Sequence, residues 1–448
     1  MPIAPMTAAK SCSRSLALWL VAAVLAGRGG SAQAQLKIEI TSGVTDPIPI
    51  AIVPFAGGVS AAPNAGAEAA GIIQDDLEGS GRFRAMPRSQ MRAFPSQASA
   101  VVLSDWRASG NDYVVVGRVA ALPDGELAVD FQLLNALNGE QLANQRFTGP
   151  PSALRNAAHR VSDVIYEKIL GTRGAFATRI AYVSVTGEPP AQRYQLVVAD
   201  ADGADPRIVL ESREPVMSPA WSPDGEWLAY VSFEDRLAAV YVQRVRTGQR
   251  QLVSARLGVN SAPSWSPDGR KLALTLSGTD GNLDIYVLDL ATQHLTRITT
   301  DPAIDTEAVW APDGKSLYFT SDRGGGPQIY EVGLSPGDRA RRITFEGSYN
   351  ARPRISPDGT ELAMVTQDGS NYRIAVQDLA SGTVRILSHG RLDSSPSFAP
   401  NGAMLIYASI DHGHSDLERV SVDGLTSQRL SSASADISDP VWGPFAHP

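Results

Sequence analysis

One cysteine occurs in the 448 residues, Cys12, and it lies ahead of an apolar run near the N-terminus. A mature chain that has shed it holds no disulfide framework and no thiolate for nucleophilic or metal chemistry. Histidine is nearly as scarce, with six copies. No His-Glu-x-x-His pair or glycine-rich phosphate loop occurs, so zinc-dependent and nucleotide-driven chemistries lack their usual residues. Positive charge is in deficit, with 39 Lys and Arg against 47 Asp and Glu and a formal net charge of −8. Nucleic-acid backbones are gripped by clustered cations, so that balance argues against a nucleic-acid partner. Long hydrophobic runs are missing too. Leu16–Gly27 spans 12 residues, short of the roughly 20 that a membrane-spanning helix needs. It follows Lys10 and Arg14 and precedes Ala32-Gln33-Ala34, the layout of a secretory signal. The expectation is a signal peptide over 1–34, cleavage after Ala34, and an exported chain with no direct membrane span. Loss of Lys10, Arg14 and Arg28 then takes the net charge from −8 to −11, a balance that favours solubility.

What the chain does have is a repeat. Trp-Ser-Pro-Asp-Gly begins at Trp221 and again at Trp265; variants begin at Trp310, Ile355 and Phe398, and a degenerate copy at Trp442. The spacings are 44, 45, 45, 43 and 44 residues, the period of a four-stranded propeller blade. In Ser261–Thr299 the segments SAPSWS, RKLALTLS, LDIYVLDL and ATQHLTRIT read as strands A to D. Before Trp221, RIAYVSV, YQLVVAD and PRIVLES read as strands B, C and D with no strand A, while DPVWGPF near the C-terminus is a strand A with no blade after it. Joining the two gives a six-bladed propeller over 179–448 whose C-terminal strand completes the first blade. Closure of that kind leaves no open sheet edge between the chain's two ends.

Ser-Pro-Asp-Gly suits a type I turn ending in a left-handed residue: Pro presets φ, Asp fits the third position and Gly takes positive φ. The large apolar residue before the turn recurs once per blade, so Trp221, Trp265, Trp310, Ile355, Phe398 and Trp442 are read as structural residues packed between blades. Residues 35–171 carry no repeat. LKIEI and IPIAIVPF read as strands, Asn64–Gly81 as a helix, three further strands follow, and Ser152–Gly171 reads as a helix capped by Ser152. This predicts an α/β N-terminal domain, joined by a short linker over 172–178. Entry at strand B of the first blade brings the linker in on the face of the Pro-Asp-Gly turns, so the front domain is expected there and the face of the D–A loops is left free.

Chemistry-bearing clusters are few. His412 and His414, near Asp411 and Asp416, could hold a metal ion; a polar loop between strands explains them as well. Asp200 and Asp202 hint at calcium, but Asp-Gly pairs are common in turns. No catalytic residue, cofactor or metal site is assigned.

Several stretches carry a more specific signal: EITSGVTDPIPIAIVPF (39–55), DDLEGSGRF (75–83), AHRVSDVIYEKILGTRGAFATRIAYV (158–183), PVMSPAWSPDGEWLAYVSFE (215–234) and EGSYNARPRISPDG (346–359). In these the chain resembles the TolB family, periplasmic propeller proteins of the Tol–Pal cell-envelope system. The resemblance covers nearly the whole mature chain. It implies a monomeric, non-enzymatic periplasmic adaptor that supports envelope integrity and outer-membrane constriction at cell division. The partners it implies are the outer-membrane lipoprotein Pal, at the propeller mouth, and TolA, at the mature N-terminus. Set on the D–A loops, the Pal surface would draw on Arg213 and Glu214; on Val259, Asn260, Ser261 and Ala262; on Asp305, Thr306 and Glu307; on Tyr349, Asn350 and Arg352; and on Asp393 and Ser394. Val259 stands where the family carries a more basic or His-containing loop. The TolA segment would be Gln35, Leu36, Lys37, Ile38, Glu39, Ile40, Thr41, Ser42, Gly43, Val44, Thr45 and Asp46, whose alternation suits addition to a partner's sheet; an ordinary edge strand would read the same way. The competing readings are an exported metal-dependent propeller enzyme acting on carbohydrate or peptide, and a ligand-binding sensor.

Overall fold

A computed structural model describes residues 47–58, 63–278, 281–335, 337–411, 413–430 and 435–446. The expected signal peptide, its cleavage after Ala34, the strand at 36–40 and the whole of Gln35–Asp46 lie outside the described residues, as does His412.

The first part is a sheet with helices on both faces. Strand β1 (Ile48–Ile52) leads to helix α1 (Ala65–Gly79), strand β2 (Phe83–Ala85), helix α2 (Leu103–Ala108), strands β3 (Tyr113–Ala121), β4 (Leu127–Asn135) and β5 (Gln141–Gly149), and helix α3 (Leu154–Leu170). The sheet order is β2-β1-β3-β4-β5, with β1 parallel to both neighbours and β3-β4-β5 an antiparallel meander. Alternation along β1 serves both faces. Ile50 and Ile52 pack under α1 and α3, and Ala51 and Val53 pack with Trp106 of α2. Helix α3 buries Leu154, Ala158, Val161 and Ile165, spaced at three and four residues along one stripe. Ser152 is not its cap. It sits in a 3-10 turn (Pro151–Ala153), and Ala153 occupies the cap position without a side-chain bond. Pro150 and Pro151 set that turn ahead of the helix, a signal that outweighs the capping preference of serine. Strand β2 and helix α2 have no counterpart in the sequence reading; at three and six residues they are too short to show a period.

The second part is a ring of six four-stranded blades. Blade 1 pairs the C-terminal strand Asp436–Trp442 with Arg179–Thr186, which continues to Arg193–Asp200 and Arg207–Ser212. The orphan strand and the incomplete blade are thus one sheet. Strands A of blades 2 to 6 are Val216–Trp221, Asn260–Trp265, Asp305–Trp310, Asn350–Ile355 and Leu392–Phe398. Blades 5 and 6 also touch by one bridge, Tyr372 to Leu392. The core is cut into six clusters, one at each seam between neighbouring blades. Each seam holds one of the six repeat residues: Trp221, Trp265, Trp310, Ile355, Phe398 and Trp442 in turn. Trp265 Nε1 donates to Ala220 O at 3.1 Å and Trp310 Nε1 to Ser264 O at 3.0 Å, both in the preceding blade. In the turn itself, Gly225 N–H donates to Ser222 O at 2.9 Å with Gly225 at φ 68°.

The front domain rests on the face of the A–B and C–D turns, over blades 6 and 1. Arg82 pairs with Asp423 at 2.7 Å, and Asn401 Nδ2 donates to Arg173 O at 3.0 Å. Gly79, at the end of α1, lies so near Arg419 of blade 6 that a Cβ there would stand 2.4 Å from the guanidinium. Asp163 of α3 accepts from the N–H of Phe176 at 2.7 Å and of Ala177 at 3.3 Å, which ties the connecting segment to the helix.

Candidate functional site

The inner strand of every blade is bulged at the same place. Pairing between strands A and B shifts register in all six blades. At each shift one non-glycine residue takes positive φ: Ser218 at 51°, Ala262 at 48°, Glu307 at 58°, Arg352 at 55°, Ser395 at 54° and Asp439 at 47°. Such a conformation costs on the order of 1–3 kcal/mol per residue and persists only where the surroundings impose it. The extra residue re-aims the strand, and all six line the central channel.

Three of them form an ionic ring section. Arg352 Nε lies 3.2 Å from Glu307 Oε1 and its Nη1 lies 3.3 Å from Asp439 Oδ1. Burial disfavours the Arg352 charge, but Glu307 and Asp439 outweigh it and hold the guanidinium above its ordinary range. Ser395 Oγ donates to Asp439 at 2.9 Å and accepts from Arg352, which spans blades 5, 6 and 1. Of the sequence candidates, Ala262, Glu307 and Arg352 belong to this ring. Ser218, Ser395 and Asp439 belong too and were missed, although a signal existed: five of the six positions precede a proline inside the strand, and proline in an inner strand marks a bulge.

Four other candidates are placed differently. Asn260, Asp305 and Asn350 are 0% exposed and Asp393 is 1% exposed. They cannot present side chains to a partner, because each is taken up by bonds inside its blade or loop. Asn260 Nδ2 donates to Arg256 O at 2.6 Å. Asp305 pairs with Arg323 at 2.7 Å. Asn350 Nδ2 donates to Glu346 O at 2.7 Å, and Asp393 accepts from Ser409 Oγ at 2.6 Å. Arg213 and Glu214 are exposed, and Val259, Ser261, Thr306, Tyr349 and Ser394 are half-buried.

What the sequence reading overlooked is the apolar rim. Leu257 is 86% exposed and Phe345 73%, and both stand on D–A loops. Ile304 and Leu392 are exposed on the next such connections; Leu237 and Ile410 are exposed at the B–C turns of the same face, Ile410 directly across from Leu392. Among the described residues of the propeller, the other large exposed hydrophobics, Ile208, Leu252 and Ile386, lie on outer strands. The face away from the front domain therefore carries the apolar display, and clustered exposed apolar groups mark interaction surfaces.

The acidic and histidine clusters resolve into structure. Asp200 and Asp202 of blade 1 receive Arg155 of α3, at 3.1 and 2.6 Å. His159, one helical turn on, places Nε2 3.7 Å from Asp200 and 3.9 Å from Asp202. Asp76, His159 and Asp202 are close enough together to hold an ion, but the Arg155 guanidinium already supplies the cation. Burial pushes Asp200 up, yet His159 and Arg155 pull it below the ordinary carboxylate range. His414 is exposed, 3.7 Å from Asp436, and Asp416 is buried against Arg429.

Comparison with known proteins gives two family matches, a TolB amino-terminal domain over residues 36–142 and a TolB beta propeller domain over 166–446. The Tol-Pal system protein TolB of Xylella fastidiosa (strain Temecula1 / ATCC 700964) is 45% identical over 415 residues, 92% of this chain and 94% of the relative. The protein of that name from Xanthomonas euvesicatoria pv. vesicatoria (strain 85-10) is 46% identical over 433 residues, 95% of this chain and 98% of the relative. The crystal structure of TolB from Acinetobacter baumannii matches with a TM-score of 0.84 at 42% identity, across 92% of this chain and 100% of that one.

Proposed function

The chain belongs to the TolB family of the Tol–Pal cell-envelope system, and from that premise we propose that it acts as a monomeric, non-enzymatic periplasmic adaptor. It binds a peptidoglycan-associated lipoprotein of the Pal type at the free propeller mouth and TolA through Gln35–Asp46, and so supports envelope integrity and constriction at division. The observation that carries this reading is the apolar rim of Leu257, Ile304, Phe345 and Leu392 on the face opposite the front domain. Interfaces are centred on apolar and aromatic anchors ringed by polar groups. Here Phe345 and Leu257 are the anchors. Arg213, Glu214, Val259, Ser261, Thr306, Tyr349 and Ser394 supply the rim, and the channel residues Ala262, Glu307 and Arg352 supply its centre. The buried Asn260, Asp305, Asn350 and Asp393 hold the loops in place. Among the described residues no helix is long and apolar enough to cross a membrane.

The test is capture from detergent-solubilised envelopes. The intact protein recovers a Pal-type lipoprotein and TolA, and deletion of 35–46 removes TolA while leaving Pal capture and the thermal transition unchanged. Metal-dependent turnover of a carbohydrate or peptide, with neither partner retained, would refute the adaptor reading.

A further inference from the structure

The six inner strands enclose a channel of about 450 Å³. Four charged side chains line it, Glu307, Asp439, Arg352 and Arg354, and they do not pair two by two. Arg352 takes both acids. The acids are then filled by other donors. Glu307 also accepts from Thr320 Oγ1 at 3.2 Å and the Arg352 N–H at 3.2 Å. Asp439 also accepts from Ser395 Oγ at 2.9 Å and the Ser218 N–H at 3.1 Å. Arg354 is left over. It donates Nη1 to the carbonyl of Pro353 at 2.8 Å and forms no ion pair among the described residues. A guanidinium carries five N–H donors in a fixed fork, so most of its donor capacity is open to the channel. The matching positions on the other inner strands are Ala220, Ser264, Val309, Ser397 and Val441, uncharged and small, which leaves space beside it. Burial lowers the Arg354 pKa from its ordinary value, and Glu307 and Asp439 offset this only in part. The four charges sum to zero, but Arg352 takes both acids, so Arg354 is the one charge in the chamber without an ion pair among the described residues.

We propose that this inner chamber is an oxyanion site, in which Arg354 grips a carboxylate or phosphate group through paired N–H donors. Planar, bidentate donation to such groups is the strength of arginine. Chambers of this size take a small ion or the end of a chain. The site shares its channel with the centre of the proposed partner surface, but it rests on Arg354 and not on that assignment.

The test titrates the intact protein with inorganic phosphate, and separately with acetate, at constant ionic strength. Tryptophan fluorescence reports, because Trp265 and Trp310 line the channel. Saturable binding is expected, weakened at least about tenfold in Arg354→Gln, since the charge-assisted hydrogen bonds are lost. Arg246→Gln, an exposed cation on a C–D turn, leaves it unchanged. If Arg354→Gln fails to fold, Ser264→Asp, which adds a carboxylate to the chamber wall at the same level, serves instead: phosphate binding is lost with the thermal midpoint kept or raised. A short peptide with a free C-terminal carboxylate and its C-terminal amide separate the sources. Preference for the free acid identifies a chain terminus, and silence of both peptides beside phosphate binding identifies a free ion; either supports the site. Phosphate bound equally by wild type and Arg354→Gln, or saturably by neither, overturns it.

Discussion

His159 Nδ1 lies 2.8 Å from Asp76 Oδ2, and the two side chains are 2% and 3% exposed. The pair joins α3 to α1, while the other ring nitrogen faces Asp200 and Asp202 of blade 1. Arg155, from the same face of α3, and Arg419, from blade 6, complete the cluster. One imidazolium thus stands between two halves of the molecule.

Its charge sets a pH dependence. Burial alone would lower the His159 pKa from 6.5, but Asp76, with Asp200 and Asp202 beyond it, raises it to about 10. A group raised in the folded state stabilises fully below its unfolded value and loses that contribution as pH rises through the folded one. The contribution is therefore complete below about 6.5 and fades toward about 10. His159→Gln removes a buried cation from among three carboxylates and is expected to cost about 3–5 kcal/mol. Urea unfolding at stepped pH checks this: the gap between wild type and variant narrows from pH 6 to roughly 10. A gap that stays constant across that window refutes the charged histidine.

On the free face, Phe345→Ser and Leu257→Ser each remove an exposed apolar side chain; the Phe345 ring also carries the Arg342 guanidinium 5.3 Å from its centre. Anchor residues at interfaces are worth at least about 2 kcal/mol, so each substitution weakens Pal capture roughly thirtyfold. Ile208→Ser, at a residue 56% exposed on an outer strand of blade 1, leaves capture unchanged. Surface plasmon resonance against the purified lipoprotein distinguishes them. Charge reversal at Asp305 or Arg352 is a poor probe, because each sits in an ion pair inside the propeller and its loss acts on the fold first.

The ring closure was readable because strands A to D each keep their period and the turn phrase returns at a fixed interval; Trp442 and Arg179–Thr186 complete one sheet as the count requires. The site was less readable. Asn260, Asp305, Asn350 and Asp393 look like loop residues in sequence, and only their burial shows them as loop staples. Leu257 and Phe345 are unremarked in sequence because a lone apolar residue in a loop has no period to betray which side it faces. His159 and Asp76 are 83 residues apart, and no local pattern links them. The inner ring was half-legible: the prolines after Ser218, Ala262, Arg352, Ser395 and Asp439 announce bulges, but Glu307 has no such mark.

The bulges make a contrast between two alanines in blade 3. Ala262 sits at φ 48°, where a Cβ costs roughly 1–2 kcal/mol. Ala262→Gly removes that strain and offsets the entropy glycine adds, so stability is kept or raised by up to about 1 kcal/mol. Ala273, on strand B and 0% exposed, has no strain to relieve, and Ala273→Gly costs about 1 kcal/mol or more. Denaturant midpoints decide it; equal losses at both sites would show that the inner bulge stores no strain.

The repeat tryptophans are not equivalent, although the sequence treats them alike. Trp310 is 8% exposed and packed between blades 3 and 4. Trp265 is only half-buried, between blades 2 and 3. Each donates its indole N–H to the preceding inner strand, at 3.0 and 3.1 Å, so the hydrogen bond does not separate them. Burial does. Trp310→Ala opens a cavity in a buried seam and is expected to cost about 3–5 kcal/mol. Both rings border the channel, but Trp265 also borders an outer groove, where solvent can fill the gap, so Trp265→Ala costs less. Both act on stability before binding: partner affinity, measured below the thermal transition of each variant, stays near that of the wild type. Equal destabilisation by the two substitutions would mean that seam packing is shared around the ring rather than set by each seam, and the six-cluster picture of the core would fail.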